Sequence, residues 1–233
     1  MKSFNGKMKA ITFSYDDGVE QDLRLIELLD KYGLKCTFNL NSGKMLGCNT
    51  RIVREEVTVD HFKLPPEKIR EVYQNHEVAG HSIDHPNLTK VLDDKEVIRQ
   101  VEDDRLRLSE LVGYNVQGFA YPCGPFNERV ASIIRENTGI KFARTVNSTH
   151  SFDVQTELYT FHPTVHQHGE FDKMIELAKE FIDLKPDTPK LFYIWGHAYE
   201  LDIRNEWGRL EEFFKLISGR DDIFYGTNSE VLL

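Results

Sequence analysis

The chain has 233 residues, 40% of them hydrophobic and 11% aromatic, with 29 basic against 38 acidic side chains and a formal charge of −9. That composition supplies a sizeable core and argues against disorder, and α/β barrels of roughly 200–250 residues are routinely single domains, so 1–233 is expected to be one domain. The absence of a lysine- or arginine-rich run argues against a nucleic-acid or anionic-membrane partner, and no apolar run approaches the roughly 20 residues that span a bilayer.

The first seven residues lack the apolar segment of a secretory signal. Cys36, Cys48 and Cys123 are odd in number and have no zinc-finger spacing. Both features suit reduced thiols and a cytoplasmic location, although a trimmed exported chain would look the same.

An apolar, β-rich run over 8–13 leads to two adjacent aspartates, Asp16 and Asp17, followed by Gly18. Paired carboxylates repel, so one protonates or a cation neutralises them. Glycine lets the backbone turn sharply there. The plainer alternative is a strand-to-helix turn with Asp17 as a helix N-cap. Residues 21–32 carry apolar side chains at helical spacing and end before Gly33. Residues 36–40 read as a second strand, and 42–63 as a long insertion near a site. A helix opens at Pro65 or Pro66 and runs through Tyr73.

A third strand over 77–80 leads into His81-Ser82-Ile83-Asp84-His85. A long helix is expected over 93–112, then a fourth strand over 116–121 that ends in Pro122-Cys123-Gly124. Asn127 caps a helix to 134, and a fifth strand over 141–146 carries Arg144. A sixth strand is expected over 158–166 and a helix over 171–184. A seventh strand over 191–195 runs straight into Gly196-His197, followed by a helix over 206–217 and a short strand over 223–225. Such alternation means a parallel sheet with helical crossovers. Polar clusters after strands one, three, four, five and seven favour a TIM-barrel-like (β/α) barrel of about seven parallel strands, because a doubly wound sheet would gather them at one switch point.

His81 and His85, four residues apart, would share one face of a helical turn and one metal ion. One aspartate from a neighbouring strand end completes a His-His-Asp set, which suits Zn²⁺ and also Co, Ni, Mn or Fe. The other aspartate, within reach of a bound water, would act as general base. His197 would supply the proton for a leaving group, unless it is structural. The Tyr121-to-Gly124 turn offers bent backbone N–H groups for an oxyanion, or is simply turn chemistry. Arg144, alone on an apolar strand, needs a carboxylate partner, and Asp16 is the obvious one. Glu200 and Asp202 either orient His197 or are solvated, and His162, His166 and His168 either border the cleft or belong to a polar loop.

Thr12-Phe13-Ser14-Tyr15-Asp16-Asp17-Gly18, the His81–His85 segment, Phe119-Ala120-Tyr121-Pro122-Cys123-Gly124 and the strand ending in His197 resemble, in order, the motifs of the polysaccharide deacetylases (carbohydrate esterase family 4). The resemblance runs over about 8–228. It implies a distorted (β/α) barrel and metal-dependent removal of an N- or O-acetyl group from a carbohydrate. It also implies Asp16 as base, Asp17 with His81 and His85 as metal ligands, and His197 as acid. Tyr121, Pro122, Cys123 and Gly124 would line the acetyl pocket, with the Cys123 N–H reaching the oxyanion; Trp195 is expected among the substrate-binding residues.

Three departures stand out. Ala120 occupies a position where many members carry arginine, Cys123 one where tyrosine is common, and the family's Asp/Trp motif is matched only by Phe152-Asp153. Arg144 is read as the replacement partner of Asp16, and so as part of the catalytic set. Two rival readings are a metal-dependent amidohydrolase for a small cyclic or linear amide and a non-catalytic sugar-binding relic.

Overall fold

The computed structural model describes residues 3–46 and 49–233. In chain order its strands are β1 (Lys9–Asp16), β2 (Cys36–Leu40), β3 (Thr50–Arg54), β4 (Val57–His61), β5 (Glu77–Gly80), β6 (Gly118–Ala120), β7 (Phe142–Arg144), β8 (Val165–His166), β9 (Lys190–His197) and β10 (Ile223–Tyr225). The parallel sheet runs in the order β7-β6-β5-β2-β1-β9-β8, with β10 pairing the first half of β1. Seven parallel strands thus curl into a distorted (β/α) barrel. β1 is buried along its whole length. It lies mid-sheet with both faces covered, so Thr12 and Ser14, which alternate with Ile11, Phe13 and Tyr15, are buried as well.

The expected sixth strand over 158–166 is realised only in pieces. A 3₁₀ turn (Leu158–Thr160) comes first, and Phe161 then exchanges backbone hydrogen bonds with Ala143 and Thr145 at 2.9 Å each. The chain next crosses to β9, where Thr164 N donates to Tyr193 O at 2.8 Å. One segment therefore bridges β7 and β9, and Pro163 in its middle interrupts a regular ladder because it has no N–H to give.

The helices are α1 (Asp22–Lys31), α2 (Pro66–Val72), α3 (Asp94–Ile98), α4 (Asp104–Val112), α5 (Glu128–Asn137), α6 (Phe171–Asp183), α7 (Glu200–Ile203), α8 (Trp207–Ile217) and α9 (Asn228–Leu232). In α6 the apolar residues Phe171, Met174, Leu177, Ala178 and Phe181 recur at helical spacing and are buried. Phe181 packs on Phe152 and Phe192, and removing such a ring costs about 3–5 kcal/mol. Among the described residues no helix is long and apolar enough to cross a membrane.

Two sequence expectations are corrected. The helix over 93–112 is not uniform, since a π-helical turn (Arg99–Asp103) separates α3 from α4. The stretch over 42–63 is not structureless: β3 and β4 form an antiparallel hairpin whose tip residues, Glu55 and Glu56, have φ of 49° and 65°. Left-handed residues at both central positions match the twist of a tight hairpin.

Candidate active site

All parallel strands deliver their C-terminal ends to one side of the sheet. Asp16 ends β1, in register with Asn39 of β2 and His197 of β9. Asp17 then leaves the sheet in a left-handed conformation, φ 86°. This aims the two carboxylates in different directions. A left-handed non-glycine residue costs on the order of 1–3 kcal/mol; here Asp17 N offsets part of that by donating to Asn39 O at 3.0 Å. Ser82, His85 and Cys123 are also left-handed, so strained backbone recurs in the three loops that follow β1, β5 and β6.

His81 follows β5 and is buried. Its Nδ1 donates to the Ala120 carbonyl at 2.8 Å, which leaves the lone pair on Nε2. That Nε2 is 3.1 Å from Nε2 of His85, and Asp17 Oδ1 is 4.0 Å from the same His85 atom. One ligating atom from each of Asp17, His81 and His85 lies within 4.8 Å of the others. Burial pushes both histidines down, His85 to about 4, so both are neutral. Burial alone would raise Asp17, but the hydrogen bond from His61 and the charge of Lys63 hold it well below the usual carboxylate range. Two neutral imidazoles and an ionised carboxylate are the protonation states a metal ligand set needs, and this N,N,O set fits Zn²⁺ or a similar divalent ion.

The π-helical turn supports this loop. Gln100 O accepts from Ile83 N at 3.1 Å, and Gln100 Oε1 from Asp84 N at 3.0 Å. Buried Asp104, just past the turn, accepts from His81 N at 3.0 Å and Ser42 N at 2.8 Å. The extra residue of a π-bulge re-aims such side chains, which is why these bulges recur at functional sites.

Asp16 is held differently. Arg144 Nη2 lies 2.5 Å from both of its carboxylate oxygens, and Asn39 Nδ2 donates to Oδ1 at 2.8 Å. Burial pushes Asp16 up, but Arg144, His81 and His197 together hold it below its ordinary value. Ala120 of β6 is in register with Arg144 of β7, so the arginine that meets Asp16 stands on the strand beside Ala120.

His197 Nε2 is 4.0 Å from Asp16 Oδ2. On its other side Nδ1 is 3.2 Å from Glu200 Oε1, and the backbone N–H of His197 donates to Glu200 Oε2 at 3.1 Å. Burial alone would lower its pKa; the Glu200 carboxylate overrides that and raises it to about 9. Asp153 is exposed and paired with Lys190 at 2.5 Å, so the carboxylate beside His197 comes from Glu200, three residues on.

The cleft above these groups has a volume of about 590 Å³, inside the range of roughly 300–1,000 Å³ of small-ligand sites. Asp16, Asp17, His81, His85 and His197 all line it, as do Cys123, Gly124 and Trp195. Arg144 stands behind Asp16, with its guanidinium 4.6 Å from the centre of the Trp195 ring. Tyr121 reaches the cleft, but its hydroxyl turns away to donate to Tyr159 O at 2.8 Å. Pro122 is buried behind the wall. His166 stacks on Trp195 at 4.2 Å and lies 3.2 Å from Glu200 Oε2. His162 binds Thr145 and His168 binds Glu55; neither lines the cleft. Cys36 is buried and Cys123 exposed, both free thiols, while Cys48 lies outside the described residues.

Sequence reading missed His61 and Lys63. They leave the β3–β4 hairpin beside Asp17: His61 Nε2 is 3.1 Å from Oδ2 and Lys63 Nζ 3.3 Å from Oδ1. The Val57-Thr58-Val59 alternation is the one local signal of that hairpin, and nothing local tells where it docks.

A family model described as polysaccharide deacetylase matches residues 3–143. No curated protein matches the sequence. Among solved structures, the chain is similar to a putative polysaccharide deacetylase from Mycobacterium smegmatis, with a TM-score of 0.67, 18% identity and 97% of this chain against 90% of that one. It is similar to a family 4 carbohydrate esterase from Streptomyces lividans in complex with acetate, with a TM-score of 0.63, 16% identity and coverage of 97% and 96%. A family 4 pseudoenzyme from Bacillus anthracis shares the fold at a TM-score of 0.56 and 18% identity, over 97% of this chain and 66% of that one. The match to a Streptococcus pyogenes deacetylase spans 55% of that protein's chain. With more than half of its length matched by the family model, the chain belongs to the polysaccharide deacetylase family.

Proposed function

We propose that residues 1–233 form one catalytic domain that removes an acetyl group, N- or O-linked, from a carbohydrate with the help of one divalent metal ion. The observation that carries this reading is the position of Asp16 Oδ2, 3.9 Å from His81 Nε2 and 4.0 Å from His197 Nε2. A carboxylate thus stands between the His-His-Asp set and an imidazolium.

Asp17, His81 and His85 would hold the ion, which when bound supplies Lewis-acid polarisation of the acetyl carbonyl and of the attacking water. Asp16 takes the proton from that water as its oxygen attacks the carbonyl carbon. Arg144 keeps Asp16 ionised and Asn39 fixes its rotamer, so the base is oriented rather than strongly basic. Cys123 is a left-handed residue at the cleft wall, and its N–H would be the donor to the developing oxyanion. His197, charged at neutral pH, gives its Nε2 proton to the departing nitrogen or oxygen. The C–N or C–O bond breaks, and acetate leaves with the free amine or hydroxyl. Glu200 acts through His197 as a positioning residue. Acetate release from a panel of acetylated oligosaccharides and small amides, with the protein metal-loaded, tests the reading. Release from the sugars supports it; hydrolysis of the small amides alone, or none at all, overturns it.

A further inference from the structure

Glu200 has a second imidazole neighbour, which the acetyl-transfer chemistry does not use. His166, the last residue of β8, stands in register with Trp195 of β9, two residues before His197. Its ring stacks on Trp195 with centroids 4.2 Å apart, and its backbone N–H donates to Glu170 Oε2 at 3.1 Å. So held, His166 Nε2 lies 3.2 Å from Glu200 Oε2, while His197 Nδ1 lies 3.2 Å from Glu200 Oε1. One ligating atom from each of His166, His197 and Glu200 is within 4.8 Å of the others, as close a grouping as Asp17, His81 and His85 make.

The spacing is that of ligands around one ion. Two atoms each about 2.0–2.1 Å from a tetrahedral zinc stand roughly 3.3–3.4 Å apart, and both nitrogen-to-oxygen gaps come close to that figure. His197 Nδ1 is buried, yet among the described residues it makes no hydrogen bond, so its 3.2 Å approach to Glu200 lacks hydrogen-bond alignment. A cation between the two would satisfy both. Two imidazoles and a carboxylate are borderline ligands that suit zinc and its neighbours in the transition series. His197 and Glu200 line the cleft, so an ion and its remaining water have a way in.

We propose that His166, His197 and Glu200 form a second metal site, separate from the Asp17-His81-His85 set, which takes Zn²⁺ only in excess and stops acetyl removal when filled. The inhibition rests on the deacetylase reading; the site itself does not. As the ion takes the Nδ1 lone pair of His197, the proton there passes to solvent. The ring is left neutral, and its Nε2 proton is far less acidic than that of an imidazolium. Displacing a proton also makes this the weaker site, by about a hundredfold or more, so dialysed protein keeps only the first equivalent.

The test starts from protein holding one equivalent of Zn²⁺. Calorimetry with further Zn²⁺ is expected to show one more, weaker equivalent, and anomalous diffraction at the zinc edge from crystals soaked in excess Zn²⁺ a peak bounded by His166, His197 and Glu200. His166→Phe keeps a ring on Trp195 without the ligating nitrogen and should lose that second equivalent. Acetate release from an acetylated oligosaccharide, each protein compared with itself before and after excess Zn²⁺, should fall about tenfold or more in the wild type and less than about twofold in His166→Phe. The site is overturned by a wild type that takes up no second equivalent, by a second peak elsewhere, or by a natively folded His166→Phe that keeps the second equivalent. Undiminished acetate release with the peak present overturns the inhibition. If no acetylated sugar is hydrolysed at all, the deacetylase reading falls, and calorimetry and diffraction still decide the site.

Discussion

Arg144 grips both carboxylate oxygens of Asp16 through one guanidinium nitrogen, at 2.5 Å each, and the two side chains are 1% and 3% exposed. Removing one partner of a buried pair strands the other's charge at a cost of about 3–5 kcal/mol. Arg144→Met is therefore expected to lower Tm by roughly 5–20 °C. Adding Asp16→Asn should recover much of that loss, because the stranded charge goes with it. Thermal denaturation of the single and double variants checks this; equal Tm values for the two would argue against a desolvated pair.

The same contact fixes a sign. Asp16 is depressed below its ordinary value, so its contribution to stability is fully present above about pH 4 and is lost as pH falls through the lowered native value. In Arg144→Met burial acts with less opposition and Asp16 rises. The acidic limb of the kcat/KM profile should move upward with it, read directly from rate against pH.

His197 sits at about 9 because Glu200 outweighs the effect of burial. Wild-type kcat/KM is expected to hold level to about pH 8 and to fall roughly tenfold per unit beyond 9, as the acid loses its proton. Glu200→Gln leaves only the smaller effects of Asp17 and Asp16 to oppose burial and should carry the alkaline limb downward. A merely structural role for Glu200 would lower the rate without moving the limb.

His61 touches Asp17 Oδ2 from the hairpin at 3.1 Å. A residue that orients a metal-binding carboxylate usually matters about 10–100-fold in affinity. His61→Ala should weaken Zn²⁺ binding by that factor in a competition titration with a chromophoric chelator, with an unchanged stoichiometry of one.

The strands that lead into Asp16, His81, Arg144 and His197 were legible because both faces of a parallel sheet are buried, so each reads as a largely apolar stretch that runs into a polar residue. The Asp16–Arg144 partnership was legible too, since an arginine on a buried strand demands a carboxylate. What sequence reasoning left out is non-local. The hairpin's docking, which brings His61 and Lys63 to Asp17, depends on Glu55 meeting Arg204, 149 residues away. The π-turn at Arg99–Asp103 shifts a helical repeat by one residue without disturbing the apolar spacing of Val97, Val101 and Leu108. Glu200 and Asp202 were both legible as carboxylates that could orient His197, but not which of them does: a short helix after β9 folds Glu200 back onto the histidine, while Asp202 meets Gln21 and Trp207.

The central claim separates a base from a metal ligand set, and metal content measured alongside acetate release tests it. Asp16→Asn is expected to keep one equivalent of bound Zn²⁺ while losing about 10³-fold or more in kcat, and His81→Ala to lose the metal itself. An Asp16→Asn enzyme that releases acetate at the wild-type rate, or a His81→Ala protein that still binds one equivalent, would contradict the account.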